Sequence, residues 1–475
     1  MLCAAFCAIL TLIFRESGEK HEKWYIVHGD NAEALKLVCA SVSRYTTVSC
    51  VRPEQLTDEI KKDGCLIYIG VKGLLTVPKD GYRIKACRNE NGNEVILLDG
   101  DGYANELYAA VDFENVYLVK AIDADTHMPT YFFNDIFGSC PLPEYDESFT
   151  PFIKERALWS WGYVIYDYKG YIDHMLQLKL NELIIWSDFP PENADEVVAY
   201  AHKKGVRIIW GFSWGWSTSC GDTHIGADEL EKMIDKAAAT YERDYAPLGG
   251  DGIYFQTFTE TKEETIGGML IAKAAVTLVN KAAEKIFKNH PDLKILFGLH
   301  ATSVRDKLAY IREVDPRVTI LWEDCGAFPY AYIPKARGDF EETLLFTEKI
   351  KNLRDGGFGT LFKGMSVLNW DTFQHQPGPY VLGEHSRKTV TEKAEEKRKY
   401  WKYLQAYWLA NAKYVKRTVE ALDGNTLVAA LVEDDAFEEK LWFPVALYAE
   451  ILWDPRRDTE TILTKAALLP DVCFG

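Results

Sequence analysis

Short runs of β-branched and aromatic residues recur between residues 157 and 371, and the stretches between them carry apolar positions at helical spacing. Seven runs are predicted as strands: 157–162, 182–188, 206–214, 250–260, 293–300, 318–324 and 361–371. Helices are predicted over 170–179, where Tyr171, Met175 and Leu178 share a face, and over 194–204, 228–245 and 266–289. Strands alternating with helices imply a parallel sheet, and this many repeats point to a (β/α)8 TIM barrel in an α/β chain. The eighth strand is the weak place in the pattern. A long polar helix over 388–422 intervenes before Thr426-Leu427-Val428-Ala429-Ala430-Leu431, which either closes the barrel or belongs to a helical C-terminal region. The tail at 442–468 reads as amphipathic helix packed on the outside.

Ahead of the barrel the pattern is mixed. Strands are predicted at 24–27 and 65–70, a helix over 32–40, a hairpin of 82–84 with 95–98 across 89–93, and a helix over 102–112. This is a small α+β domain, and its ionisable residues show no catalytic spacing, so it reads as an accessory or packing domain. Residues 122–154 mix Asp, Pro, Gly and Ser with Tyr131-Phe132-Phe133, the composition of a connector packed onto its neighbours. The expected organisation is an apolar segment at 1–22, an α+β domain with connector at 23–150, the barrel at 151–385, and a helical region at 386–475 that includes or follows the last barrel strand. The apolar run before Arg15 is long enough for the core of a secretion signal and too short for a membrane span. It has no positive start and no small-residue cleavage site, so an incomplete start or a buried segment stands beside the signal reading. Localisation is open between cytoplasmic and secreted.

Composition changes this picture in three ways. At 475 residues, 47% hydrophobic and 26% charged, the chain can bury a large core in two or three domains. A net charge of −17 and the lack of a basic stripe argue against nucleic acid as a partner. The ten cysteines are scattered without a C-x-x-C pair, and most read as small buried hydrophobes. No helix carries paired His or Cys at ligand spacing, so no metal and no cofactor is expected. Oligomeric state is open.

Barrels of this kind place their chemistry at the C-terminal ends of the strands. The residues predicted there are Trp161, Trp186, Asp188, Trp214, Trp216, Glu260, His300, Trp322, Glu323, Asp324, Asn369, Trp370 and Asp371. Acids and indoles recur on one rim. Cleavage of a glycosidic bond requires a carboxylic acid at the leaving oxygen and a carboxylate or substrate group on the other side of the sugar, while flat indoles pack on pyranose faces. Glu260 is the candidate general acid, Glu323 or Asp324 the base or nucleophile, and Asp371 a third carboxylate. Trp161, Trp186, Asp188, Trp214, Trp216, His300, Trp322, Asn369 and Trp370 are candidate substrate contacts. Structural roles compete throughout: a strand-end acid is often a solvated loop charge or a helix cap, individual Trp residues serve equally as core, and His300 and His375 serve equally as a satisfied core or surface histidine.

The phrases Trp159-Ser160-Trp161-Gly162, Tyr171-Ile172-Asp173-His174-Met175 and Leu178-Lys179-Leu180-Asn181-Glu182-Leu183 follow the α+β domain. In these, and over roughly residues 24–375, the chain resembles glycoside hydrolases with a hexosaminidase-type or α-glucuronidase-type N-terminal domain and a catalytic barrel. The resemblance implies hydrolysis of a terminal sugar from a glycan. Hexosaminidases of this type place an Asp-Glu pair at the fourth strand, the Asp orienting the substrate acetamide, whereas here Thr259 precedes Glu260. α-Glucuronidases place the acid on a middle strand and base carboxylates on later ones, which Glu260 with Glu323 or Asp324 and Asp371 matches. They also bind a uronate through cations, for which Lys363, Arg207 and His300 are nearest, the first two early in their predicted strands. The expected activity is therefore α-glucuronidase-like glycoside hydrolysis, with a β-N-acetylhexosaminidase or endo-N-acetylglucosaminidase as the alternative enzyme and a carbohydrate-binding protein on a degenerate barrel as the non-enzyme alternative.

Overall fold

The computed structural model describes residues 23–121, 137, 142–187, 189–214, 227–256, 259, 264–266, 268–300, 304–323, 339–365, 378–432 and 436–474. They form two compact units, one drawn mainly from residues before 149 and the other mainly from residues after it.

The first unit is built on a six-stranded sheet of order β2-β1-β3-β5-β4-β6. Its strands are β1 (Lys23–His28), β2 (Val48–Val51), β3 (Gly64–Ile69), β4 (Tyr82–Arg88), β5 (Glu94–Gly100) and β6 (Tyr145–Phe149). β4 and β5 are the hairpin expected from the sequence, paired antiparallel from Tyr82 with Gly100 to Arg88 with Glu94. Helix α1 (Ala32–Val42) starts where the Asn31 side chain accepts the Ala34 N–H at 3.0 Å, satisfying one of the amides a helix start leaves without a partner. Two strands fell outside the sequence reading. β2 has a short, half-exposed pattern, and β6 lies within the stretch read as connector.

The second unit is a closed barrel of eight parallel strands: β7 (Glu155–Trp161), β8 (Glu182–Trp186), β9 (Arg207–Ser213), β10 (Gly252–Gln256), β11 (Lys294–Leu299), β12 (Val318–Trp322), β13 (Phe358–Met365) and β14 (Leu427–Val432). The TIM-barrel expectation is met, and the eighth strand is Leu427–Val432, hydrogen-bonded to β13 on one side and β7 on the other. β13 begins at Phe358, three residues before the expected 361, because Gly356 and Gly357, both at positive φ, turn the chain directly into it, and residues 366–371 of the expected strand lie outside the described residues. Two helices reinforce the closure. In α2 (Arg387–Glu420) Trp408 Nε1 donates to Gly364 O at 2.9 Å, and in α3 (Phe443–Trp453) Tyr448 OH lies 3.0 Å from the carbonyls of Ala157 and Val428 across the β7/β14 seam. The tail was expected to be amphipathic. Its first helix, α3, is instead buried nearly all round, as a helix wedged between barrel and outer helices must be.

Alternation along each strand sorts side chains into two cores. Outward residues such as Ile208, Phe255, Phe297 and Ile320 pack against the helical ring, and inward ones fill the barrel. The interior is layered. Its floor is ionic: Glu182 pairs with Arg207 at 2.9 Å and Lys294 at 2.8 Å, while Glu155 pairs with the same cations at 3.1 and 3.0 Å. Lys294 sits three strands from Glu182, and the inward position beside it on β10 is Gly252. A Cβ there would lie 2.9 Å from Lys294 Cβ, so its absence opens the lysine's route across β10. Above the floor come Trp159, Ile184, Ile209, Tyr254, Leu296, Leu321, Leu361 and Ala429. Among the described residues no helix is long and apolar enough to cross a membrane.

Candidate active site

The C-terminal end of the barrel gathers five polar side chains from four consecutive strands around Glu323. Tyr254 and Gln256 point inward from β10 two residues apart; His300 and Glu323 each follow the last residue of β11 and β12; Lys363 projects from β13 where its register with β14 shifts between Phe362 and Met365. The Glu323 N–H donates to Leu299 O at 3.1 Å, which continues the ladder one residue past the strand and turns the carboxylate inward. Its side chain is only 1% exposed.

Tyr254 OH donates to Glu323 Oε1, and Gln256 Nε2 donates at 2.8 Å to both carboxylate oxygens. His300 Nε2 lies 2.9 Å from Oε2, and Lys363 Nζ 3.4 Å from the same atom. Burial pushes the Glu323 carboxyl upward, but the charges of His300 and Lys363 and the hydrogen bonds from His300 and Tyr254 outweigh it and hold the group well below the usual glutamate range. The result is a carboxylate kept ionised inside the barrel mouth.

Gly298 makes room for it. A Cβ at that position would collide with Glu323 Oε1 and stand 2.6 Å from Tyr254 OH. Gly298→Ala is therefore expected to lose about 1–3 kcal/mol through overpacking. Urea unfolding followed by tryptophan fluorescence checks this, and an unchanged midpoint would mean that the carboxylate can move aside freely.

The indoles divide by face. Trp161 and Trp186 point into the barrel, where Trp159 meets Trp161 edge-on at 4.4 Å and Trp186 meets Tyr254 at 5.5 Å. Trp214 lies on the outer side, stacked on Phe255 at 3.7 Å. Trp322 also faces outward, beneath the helix Phe340–Lys351, where its Nε1 donates to Thr347 Oγ1 at 3.2 Å. Strand alternation puts it opposite its neighbour Glu323, so the structure does not bring Trp322 or Trp214 to the mouth. Asp188, Trp216, Glu260, Asp324, Asn369, Trp370, Asp371 and His375 lie outside the described residues.

Tyr254, Gln256 and Lys363 belong to the cluster, yet the sequence reading did not single them out as site residues. The signal for the first two was parity, since Tyr254 and Gln256 lie two residues apart on the inward face of β10. Lys363, early in the strand expected over 361–371, is the sixth residue of β13 and lies 3.4 Å from Glu323. Arg207, the other cation weighed, lies in the ionic floor at the opposite end. Among the described residues no group of three or more His, Cys, Asp and Glu side chains is arranged to hold a metal ion.

No family model matches the chain, and no curated protein matches it. Among solved structures, a GH18 chitinase from Pseudoalteromonas aurantia aligns with 60% of this chain and 97% of its own, at 9% identity and a TM-score of 0.37. A mutant O-GlcNAc hydrolase from Thermobaculum terrenum aligns with 67% of this chain and 64% of its own, at 12% identity and a TM-score of 0.39. Likeness at that level carries no argument about chemistry, and the fold rests on the strand pairing itself. The chain is an α/β protein with a closed (β/α)8 barrel following a small, sheet-based α+β unit.

Proposed function

We propose that the protein is a glycoside hydrolase that removes a terminal sugar from a glycan by carboxylate acid/base catalysis. The observation that carries this reading is Glu323, an ionised carboxylate at the C-terminal end of the barrel with cationic and hydroxyl donors around it and indoles in the layer below. A carboxylate held in that state suits the general base or nucleophile that faces the developing positive charge at the anomeric carbon. It does not suit the acid, which must carry a proton to the leaving oxygen. Glu260, four residues after Gln256 in the sequence, is the proposed acid, with Asp324 and Asp371 as further candidate carboxylates. This division of roles is the α-glucuronidase-like one, and it leaves the sugar to be identified by experiment.

A second reading has its own support. Both Glu323 oxygens already accept hydrogen bonds, and the side chain is enclosed, which suits a fixed charge in a carbohydrate-binding protein.

Aryl glucuronides, N-acetylhexosaminides and neutral hexosides, offered to the wild type and to Glu260→Gln, separate the two. The hydrolase reading expects turnover of one class and a fall of about 10²–10⁴-fold in Glu260→Gln. The fall should shrink when the aryl leaving group is acidic enough to depart without a proton. Full activity in Glu260→Gln would overturn the acid assignment, and sugar binding without turnover of any class would establish the second reading.

A further inference from the structure

The cysteines looked scattered along the chain, but the fold brings two of them together. Cys39 lies on α1 and Cys50 on the edge strand β2, eleven residues apart, with their sulfurs 3.3 Å from each other. Both are accessible to solvent, Cys50 exposed and Cys39 half-buried, whereas Cys65 of the same sheet is buried. A disulfide has its sulfurs about 2.0 Å apart, so the pair needs to close by only about 1.3 Å, a shift within reach of side-chain rotation.

We propose that Cys39 and Cys50 are a thiol–disulfide exchange site that closes into an intramolecular disulfide when a small-molecule disulfide is present. The Cys50 thiolate attacks one sulfur of the oxidant RSSR, giving a mixed disulfide and releasing RS⁻. Cys39 then gives up its proton to water, attacks Cys50 Sγ and expels the second RS⁻. Two thiols and RSSR become one protein disulfide and two RSH, so the protein is oxidised by the two electrons the reagent gains. The order follows from exposure and environment: Cys50 is the accessible sulfur, while burial and the neighbouring Cys50 push the Cys39 thiol up to about 12. Cys39 is thus the resolving thiol. Closure ties α1 to a strand that is at the edge of the sheet among the described residues, and so limits the opening of that edge.

Peptide mapping of the full-length protein tests this. Cleavage after Lys36 and Arg44 places Cys39 in the peptide 37–44 and Cys50 in the peptide that follows, each with a single cysteine. After incubation with oxidised glutathione under native conditions, the two peptides are expected as one linked species, about 2 Da below their summed reduced masses and separated again by dithiothreitol. In Cys39→Ser the same treatment is expected to leave Cys50 as a glutathione mixed disulfide, because no resolving thiol is present. The proposal is overturned if wild-type Cys50 stays glutathionylated with Cys39 free, if either cysteine links to a different one, or if both remain unreacted.

Discussion

Glu323→Gln is expected to cost about 3–5 kcal/mol of stability, and about 10³-fold in turnover if the barrel cleaves glycosides. The stability term comes from what is left behind. The carboxylate accepts from Tyr254, Gln256 and His300 and pairs with the Lys363 charge, with almost none of its surface in water. An amide keeps the shape but supplies one acceptor oxygen where three donors and a cation converge, and its own N–H2 faces other donors. The pH dependence is the sharper check. The folded-state carboxyl is held below its ordinary value of 4.5, so its contribution is fully present above that value and is lost as the pH falls towards and through the folded pKa. Urea unfolding should therefore show a constant gap between wild type and Glu323→Gln from pH 7 down to about 5, narrowing below about 4.5. A gap that stays the same width into acid, or no gap at all, would contradict an ionised Glu323.

The second large effect belongs to the opposite end of the barrel. Glu182 is fully enclosed and meets Arg207 and Lys294 at 2.8–2.9 Å, so Glu182→Gln leaves the two cations with Glu155 as their remaining ion-pair partner among the described residues. The expected loss is about 2–3 kcal/mol, because Lys294 is largely shielded from water while Arg207, with its side chain 41% exposed, recovers part of its solvation. Glu155→Gln is the internal comparison. Its side chain is 29% exposed, water screens the change, and a loss of about 1 kcal/mol or less is expected. Denaturant unfolding of both variants at neutral pH decides the matter. Equal losses would show that exposure does not set the energetics of the floor. Neither change is expected to alter binding at the mouth, since the floor lies beneath the hydrophobic layer of Trp159, Tyr254 and Leu296.

The sequence by itself determined the barrel. Periodicity is a local property, and runs such as Glu182–Trp186 and Lys294–Leu299 can be read as buried strands without knowing their neighbours. Glu323 and His300 could be named from the same pattern, because in a parallel barrel the residue after a strand lies at the functional rim. What the tertiary structure decided was which residues meet. Whether Leu427–Val432 closes the barrel depends on hydrogen bonds to strands far away in sequence, and no local signal separates that strand from a buried helix segment. The register of β13 brings Lys363 to Glu323, and Gly252 lets Lys294 cross to Glu182. Facing, too, was settled there: Trp322 and Glu323 are neighbours in sequence, yet one packs beneath a helix and the other lies in the mouth. Cys39 and Cys50 became a pair only when α1 was laid beside β2. Spacing along the chain sets the elements, whereas contacts between elements follow from strand register and helix docking, which long-range packing alone fixes.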